Sequence, residues 1–364
     1  MFHYIFDIIK ESGGPAVFGY ITSRTLIAFV SSFFVTLIIG RPIIIQLYKK
    51  GFRSFERTYG DINSQSKKGT PVMGGILMFI TGIGNAVLWC DLSNPFIIIL
   101  IFSAIWFGVF GGIDDYLKIK NKNPDSGLSR GVKFSIQILF GVALAVFVLN
   151  TSISPLPPNI ADGMQVPFYK GILFNSGFIT FLWIVFIIVY SANAVNFADG
   201  MDGLAVVPSI FTFIVIGVFS YIIGNFVHAQ HLLFHFIPGS GEIAVFCGAI
   251  VGSALGFLWF NSHPAEVFMG DMGSLFLGGT MGTAAVLIRQ EIIFIIAGAI
   301  FAIEITSTFI QENLGFRNYR RILYRAPLHH HFHHQGMAES KIATRFWIIS
   351  AIMAALAIIT IKFR

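Results

Sequence analysis

Ten runs of mostly apolar residues set the terms for this chain of 364 residues, at about 25–47, 72–90, 96–113, 132–150, 172–192, 204–223, 243–260, 273–288, 292–310 and 344–362. A helix needs about 20 such residues to cross the hydrocarbon core of a bilayer. In lipid, helices and closed barrels alone satisfy their own backbone polar groups. The spacing therefore predicts an all-α, polytopic integral membrane protein with about ten transmembrane helices, built as a single domain over residues 1–364. Composition agrees: 12% of residues are charged, half the roughly 25% of a soluble domain, which excludes a soluble enzyme, a disordered chain and a disulfide scaffold. Cys90 and Cys247 sit far apart in apolar runs and read as inert buried thiols. The 273–288 run is short and rich in glycine, and the 292–310 run holds Glu304, so the latter is expected to be bent or broken. Residues 1–20 lack the basic start, apolar core and cleavage site of a signal peptide, so the first span is expected to be retained.

Basic residues orient the spans. Lys49, Lys50, Arg53, Arg57, Lys67 and Lys68 follow span 1; Lys118, Lys120, Lys122, Arg130 and Lys133 follow span 3; Arg317, Arg320, Arg321, Arg325 and Lys341 follow span 9, with Arg345 entering span 10. The other side keeps Lys10, Arg24, Lys170, Arg289, Lys362 and Arg364. By the positive-inside rule the odd-numbered connections are cytoplasmic and both termini periplasmic. The net charge of +6 is explained by these topogenic and phosphate-facing cations, with no nucleic-acid partner.

The motif carboxylates fall in the cytoplasmic connections, where acids at the ends of apolar spans are costly unless paired or bound to a cation. Asp114 and Asp115 are adjacent, a pattern that can hold Mg²⁺ against substrate phosphates or supply a proton acceptor; a solvated helix end explains the pair as well. Asp199 and Asp202, in the string NAVNFADGMDGL at 193–204, share a face if helical. An aspartate capping a helix accounts for one of them but not for the dense Asn, Asp and Gly. Asp271, between glycines at the start of span 8, can join a metal site at a helix N-terminus, and Phe268 offers a face for base stacking, although interfacial packing explains both alone. His329, His330, His331, His333 and His334 place five imidazoles in six positions beside arginines, suited to anion binding or proton transfer. Zinc is disfavoured there because sequence neighbours rarely converge on one ion. Lys67 and Lys68 before Gly69-Thr70-Pro71 resemble a phosphate cradle without matching a Walker A pattern. The tract His228, Gln230, His231, His235 falls on the external side and reads as interfacial solvation. Together the motifs predict one site for a phosphate-bearing substrate and Mg²⁺.

The motifs KKGTPVMGG at 67–75, GGIDDYLK at 111–118, GLS at 127–129, NAVNFADGMDGL at 193–204, NSHPAEVFMGDMGS at 261–274 and APLHHHF at 326–332 resemble, in order and spacing, the phospho-N-acetylmuramoyl-pentapeptide-transferase branch of the polyprenyl-phosphate N-acetylhexosamine-1-phosphate transferases. The resemblance implies transfer of phospho-N-acetylmuramoyl-pentapeptide from UDP-N-acetylmuramoyl-pentapeptide to undecaprenyl phosphate, a membrane lipid. The products are lipid I and UMP, in the first membrane step of peptidoglycan synthesis. It implies ten helices, a homodimer in the bacterial cytoplasmic membrane, a site on the cytoplasmic face and a broken penultimate helix. Carried onto matching positions, it makes Asp114, Asp115, Asp271 and His330 catalytic, with Asp271 and Asp115 holding Mg²⁺ and Asp114 a candidate base or nucleophile. Lys67, Lys118, Lys133, Asn193, Asn196, Asp199, Asp202, Asn261, Phe268, His329 and His331 become substrate contacts. Three positions depart from the usual pattern: His333 stands where the family has glutamate, and Met272 and Val72 where it has threonine. Two rivals remain. One is transfer of N-acetylglucosamine-1-phosphate, which the unbroken APLHHHF run disfavours; the other is a secondary transporter, whose ionisable groups belong near the midplane between repeated halves.

Overall fold

The computed structural model describes residues 16–54, 69–169, 172–315 and 322–363. Helices occupy all ten positions: α1 (Ile21–Lys49), α2 (Gly75–Trp89), α3 (Pro95–Lys120), α4 (Arg130–Leu149), α5 (Gly177–Ala198), α6 (Val206–Ile223), α7 (Glu242–Asn261), α8 (Gly270–Leu287), the pair α9 (Glu291–Ala297) and α10 (Ala299–Ile310), and, after the short α11 (Leu328–His334), α12 (Glu339–Ile359). Among the described residues seven are long and apolar enough to cross a membrane, namely α1, α3, α4, α5, α6, α7 and α12, and the α9–α10 pair makes an eighth. The protein is thus an all-α, multi-pass membrane protein. At 15 residues, α2 reaches only about 22 Å against a core of about 30 Å.

The expected break in span 9 is present, with α9 and α10 bent by 83°. The break falls at Gly298, which stands between the two helices at φ −90° and ψ 28°; Glu304 lies inside α10, fully buried. One departure from the helical expectation is a small antiparallel hairpin, β1 (Gly163–Gln165) and β2 (Ile172–Asn175), between α4 and α5. The apolar run from 172 therefore begins as a strand, and α5 begins at Gly177.

Packing follows the logic of lipid, with large apolar groups outside and small residues between helices. On α1, Leu26, Phe34, Ile38 and Ile45 are exposed while Ala28, Ser32, Thr36 and Gly40 are buried. The buried stripe meets Gly248, Gly252 and Gly256 of α7, where an added Cβ would collide with the carbonyl oxygens of Thr25 and Phe29 and the side chain of Thr36. Every residue of α8 from Met272 to Leu287 is buried, which explains its glycine-rich, weakly apolar sequence: it faces protein instead of lipid. Around it stand α2, α3 and α5. A Cβ at Gly75 would strike the backbone of Gly273, and one at Gly111 the backbone of Asp271. These close crossings bring the ends of α2, α3 and α8 to one place.

Candidate active site

Helix α3 continues past its apolar run, so Asp114 and Asp115 lie in its last turns and not in a following loop. Lys118, one turn on, places Nζ 2.7 Å from Asp114 Oδ2 and 3.0 Å from Asp271 Oδ2. Lys133, in the first turn of α4, places Nζ 2.8 Å and 2.6 Å from the same two oxygens. Two ammonium groups therefore bridge one pair of carboxylate oxygens supplied by helices far apart in sequence.

Each carboxylate has a second task. Asp114 is fully buried, and its Oδ1 accepts the Leu128 N–H at 2.6 Å. A Cβ at neighbouring Gly127 would stand 2.5 Å from that oxygen, so the GLS motif needs its glycine for this approach. Asp115 accepts the N–H groups of Asp271 at 3.1 Å and Met272 at 2.9 Å. It thereby satisfies amides left open at the start of α8, and each of its oxygens keeps a further lone pair. Gly270 turns the chain into α8 at φ +75°, with its Cβ position 2.5 Å from Asp115 Oδ2; this is a conformation and a space that glycine alone fills well. Asn196, still inside α5, donates to Asp271 Oδ1 at 3.1 Å and to Ser274 Oγ at 2.8 Å.

Three carboxylates and two ammonium groups face one another in a buried setting, where charge interactions are stronger than in water. Ligand atoms of Asp114, Asp115 and Asp271 all lie within 4.8 Å of one another. A set of hard oxygen donors with spare lone pairs fits a hard divalent cation bound jointly with phosphate oxygens. Beside Asp114 and Lys133, a narrow crevice is lined by the apolar side chains of Phe107, Phe110, Ile136 and Leu275.

The remaining described candidate residues lie on α5, on the turn after it, on the loop between α7 and α8 and on α11. Asp199 and Asp202 do not share a helix face: α5 ends at Ala198, Asp199 caps it, and Asp202 lies in the turn that follows, at Gly203 with φ +69°. The glycines that permit this turn also stop the helix, which is why the three-residue spacing does not act as helical. Asn261 ties this turn to the next loop, accepting the Gly203 N–H at 3.0 Å and donating to Val267 O at 2.8 Å. Phe268 is half-buried, with its backbone paired to Pro71 and Gly74. Asn193 pairs with Gln137 at 2.6 Å, linking α5 to α4. His329 is buried against α10, and its Nε2 faces Gly200. The ring of His330 lies 4.2 Å from that of His329, and His331 stacks on Tyr324 while its Nδ1 accepts the Tyr324 N–H at 3.1 Å. Lys67 lies outside the described residues, as do Arg57, Lys68, Arg317, Arg320 and Arg321.

Sequence reasoning passed over one partner. Glu304, in sequence only a sign of the break, lies with its Oε2 2.8 Å from His329 Nδ1. A lone acid in an apolar span was the available signal.

Comparison with known proteins gives a match to the model of glycosyl transferase family 4 over residues 97–289. Relatives named phospho-N-acetylmuramoyl-pentapeptide-transferase match along the whole of both chains, with 41% identity for those of Francisella tularensis subsp. tularensis strain WY96-3418 and Francisella philomiragia subsp. philomiragia, and 40% for Francisella tularensis subsp. novicida strain U112.

Proposed function

The chain belongs to glycosyl transferase family 4 and, within it, to the phospho-N-acetylmuramoyl-pentapeptide-transferases, and on that footing we propose that it transfers phospho-N-acetylmuramoyl-pentapeptide from its UDP-linked donor to undecaprenyl phosphate, giving lipid I and UMP. The observation that carries the reading is the convergence of Asp114, Asp115, Asp271, Lys118 and Lys133 at one membrane-helix end. Phosphoryl transfer needs this kind of array, cations for the phosphates and carboxylates for a metal, beside an apolar surface for the carrier.

Asp271 and Asp115 would hold Mg²⁺, which when bound supplies charge neutralisation and a template for the donor pyrophosphate. Lys118 and Lys133 pair with the phosphates as the donor enters and leave their contacts to the carboxylates. The Asp114 carboxylate helps keep the carrier phosphate deprotonated. A carrier oxygen forms the new P–O bond to the sugar-bearing phosphorus, and the bond from that phosphorus to the UMP oxygen breaks, so charge on the departing UMP meets the lysines. Asn196 fixes the orientation of Asp271 through Oδ1. The turn bearing Asp199 and Asp202, with Asn193, Asn261, Phe268 and Lys67, receives the uridine and sugar, Phe268 stacking on the base. His330 and His331 contact the anionic substrate, with His330 serving proton transfer, while His329, buried against Glu304, positions the segment that carries them. The basic connections favour a cytoplasmic site in the bacterial inner membrane with both termini periplasmic; ten spans and a homodimer rest on the family resemblance.

The test uses purified protein in detergent with undecaprenyl phosphate, Mg²⁺ and each of the two UDP sugars in parallel, with UMP measured. UMP release with the muramoyl-pentapeptide donor, lost with EDTA and restored by Mg²⁺, supports the reading. Release with UDP-N-acetylglucosamine alone moves the donor to the rival branch, and a covalent sugar-phosphate enzyme released from UMP replaces direct attack by a two-step route.

A further inference from the structure

Helix α4 buries Gln137 along with Phe140, Gly141, Leu144, Ala145 and Val148. A side-chain amide buried inside a membrane span is costly unless its polar atoms are paired. Gln137 finds its partner on α5: its Oε1 accepts the Asn193 Nδ2–H at 2.6 Å, and its Nε2 donates to Asn193 Oδ1 at a longer 3.4 Å. Gly141 allows the helices to approach, since a Cβ there would stand 3.1 Å from the Cα of Val185 on α5. We infer that Gln137 is a positioning residue for the donor sugar nucleotide, fixing the Asn193 amide so that Oδ1 is presented to the donor as a hydrogen-bond acceptor. The inference rests on the place given to Asn193 in the donor pocket under the proposed function.

The polar inventory of Asn193 decides which atom is offered. Both Nδ2 hydrogens are taken, one by Gln137 Oε1 and the other by the main-chain oxygen of Val189 at 2.7 Å. A main-chain carbonyl only accepts, so turning the amide over would set two oxygens against each other. Oδ1 keeps one lone pair after the bond from Gln137, and the Asn193 side chain is only half-buried.

Placement puts that atom under the site. Asn193 and Asn196, three residues apart on α5, share a face, and Asn196 meets Asp271 Oδ1. On α4, Gln137 and Lys133, four apart, also share a face, and Lys133 meets Asp271 Oδ2. The Gln137–Asn193 pair therefore lies one turn deeper than the contact of Lys133 and Asn196 with Asp271. Because Oδ1 accepts and cannot donate, the donor group it meets is a hydroxyl or an amide N–H, while the phosphate oxygens belong to Lys118 and Lys133. Without Gln137, one Nδ2 hydrogen loses its acceptor and the amide is held by Val189 O alone.

The experiment measures equilibrium binding of radiolabelled UDP-N-acetylmuramoyl-pentapeptide to the full chain in detergent with Mg²⁺ and no carrier, and separately the KM for undecaprenyl phosphate. Gln137→Met, which keeps side-chain length but removes both polar atoms, is expected to weaken donor binding about tenfold and leave the carrier KM within about twofold. Gln137→Leu gives the same pattern and carries the test if the methionine variant does not fold. Asn193→Ala weakens donor binding to a similar extent, and adding Gln137→Met to it brings no further loss, because Gln137 acts through the amide already removed. Gln137→Glu, whose carboxyl keeps an acceptor for the Nδ2–H, brings donor affinity back to within about threefold of the unmodified protein. Unchanged donor affinity in Gln137→Met, losses that multiply in the double variant, equal losses for donor and carrier, or no recovery in Gln137→Glu each overturn the inference. Failure confined to these variants leaves the transferase reading standing, whereas an unmodified protein that binds no donor overturns both.

Discussion

Glu304 holds His329 at two points: its Oε2 lies 2.8 Å from the ring Nδ1, and its Oε1 accepts the main-chain N–H at 3.2 Å. Both residues are buried, and His329 Nε2 has no partner among the described residues. That Nε2 is directed at the Gly200 turn. Removing the acid should orphan two buried donors at once. Glu304→Ala is expected to cost roughly 2–5 kcal/mol of stability and at least tenfold in turnover; Glu304→Gln, which keeps one acceptor, should retain most of the stability. Thermal unfolding in detergent and UMP release measure the two effects, and a fully active, equally stable Glu304→Ala protein would refute the pairing.

Asp271 meets both lysines and Asn196, so its charge is central to the site while its place in the fold is secured by the α8 backbone. Asp271→Asn should reduce UMP release by more than about 100-fold, beyond the 10–100-fold typical of losing an outer-shell partner of a metal. The unfolding midpoint should stay within a few degrees of the unmodified protein. Near-normal activity would remove Asp271 from its assigned role.

Asp115 should respond differently. Its two oxygens each accept an amide N–H from α8, and asparagine would turn an NH₂ toward one of those donors. Asp115→Asn is expected to lose activity and also about 1–3 kcal/mol of stability. Comparing denaturation midpoints of the two aspartate variants separates the roles; equal midpoints would argue against Asp115 as the acceptor that closes α8.

Close helix crossings make a third kind of prediction. Gly252→Ala places a methyl group against the Phe29 carbonyl oxygen, and Gly111→Ala one against the Asp271 backbone. Each should cost about 1–3 kcal/mol through overpacking. Gly111→Ala should also depress turnover, because it displaces α8 at the site, whereas Gly252→Ala, at the α1–α7 contact, should affect midpoint much more than rate. Midpoint and rate measured side by side check the pair.

Apolar run length was enough to read the helices, since crossing lipid demands a long stretch of one chemistry whatever the neighbours do. It misjudged ends: α3 and α5 continue past their apolar runs, so Asp114, Asp115, Asn193 and Asn196 are helical residues. Polar residues at a helix end interrupt hydropathy without interrupting backbone hydrogen bonds. The Asp199–Asp202 spacing misled in the opposite sense, because Gly200 and Gly203 release the chain into a turn there. Sequence also exposed the acidic and basic motifs of the site as types of chemistry.

Local chemistry along the chain therefore determined that this protein is helical, membrane-spanning and equipped with carboxylates, lysines and imidazoles for phosphate and a cation. Only tertiary structure decided which of them meet: that Lys118 and Lys133 bridge Asp114 and Asp271, that Asp115 closes the start of α8, and that Glu304 holds His329. Span formation is a property of about 20 consecutive residues. Side-chain pairing between α3 and α8 depends instead on how closely two backbones approach, and that distance was set by glycines whose importance shows once the opposing helix is in place.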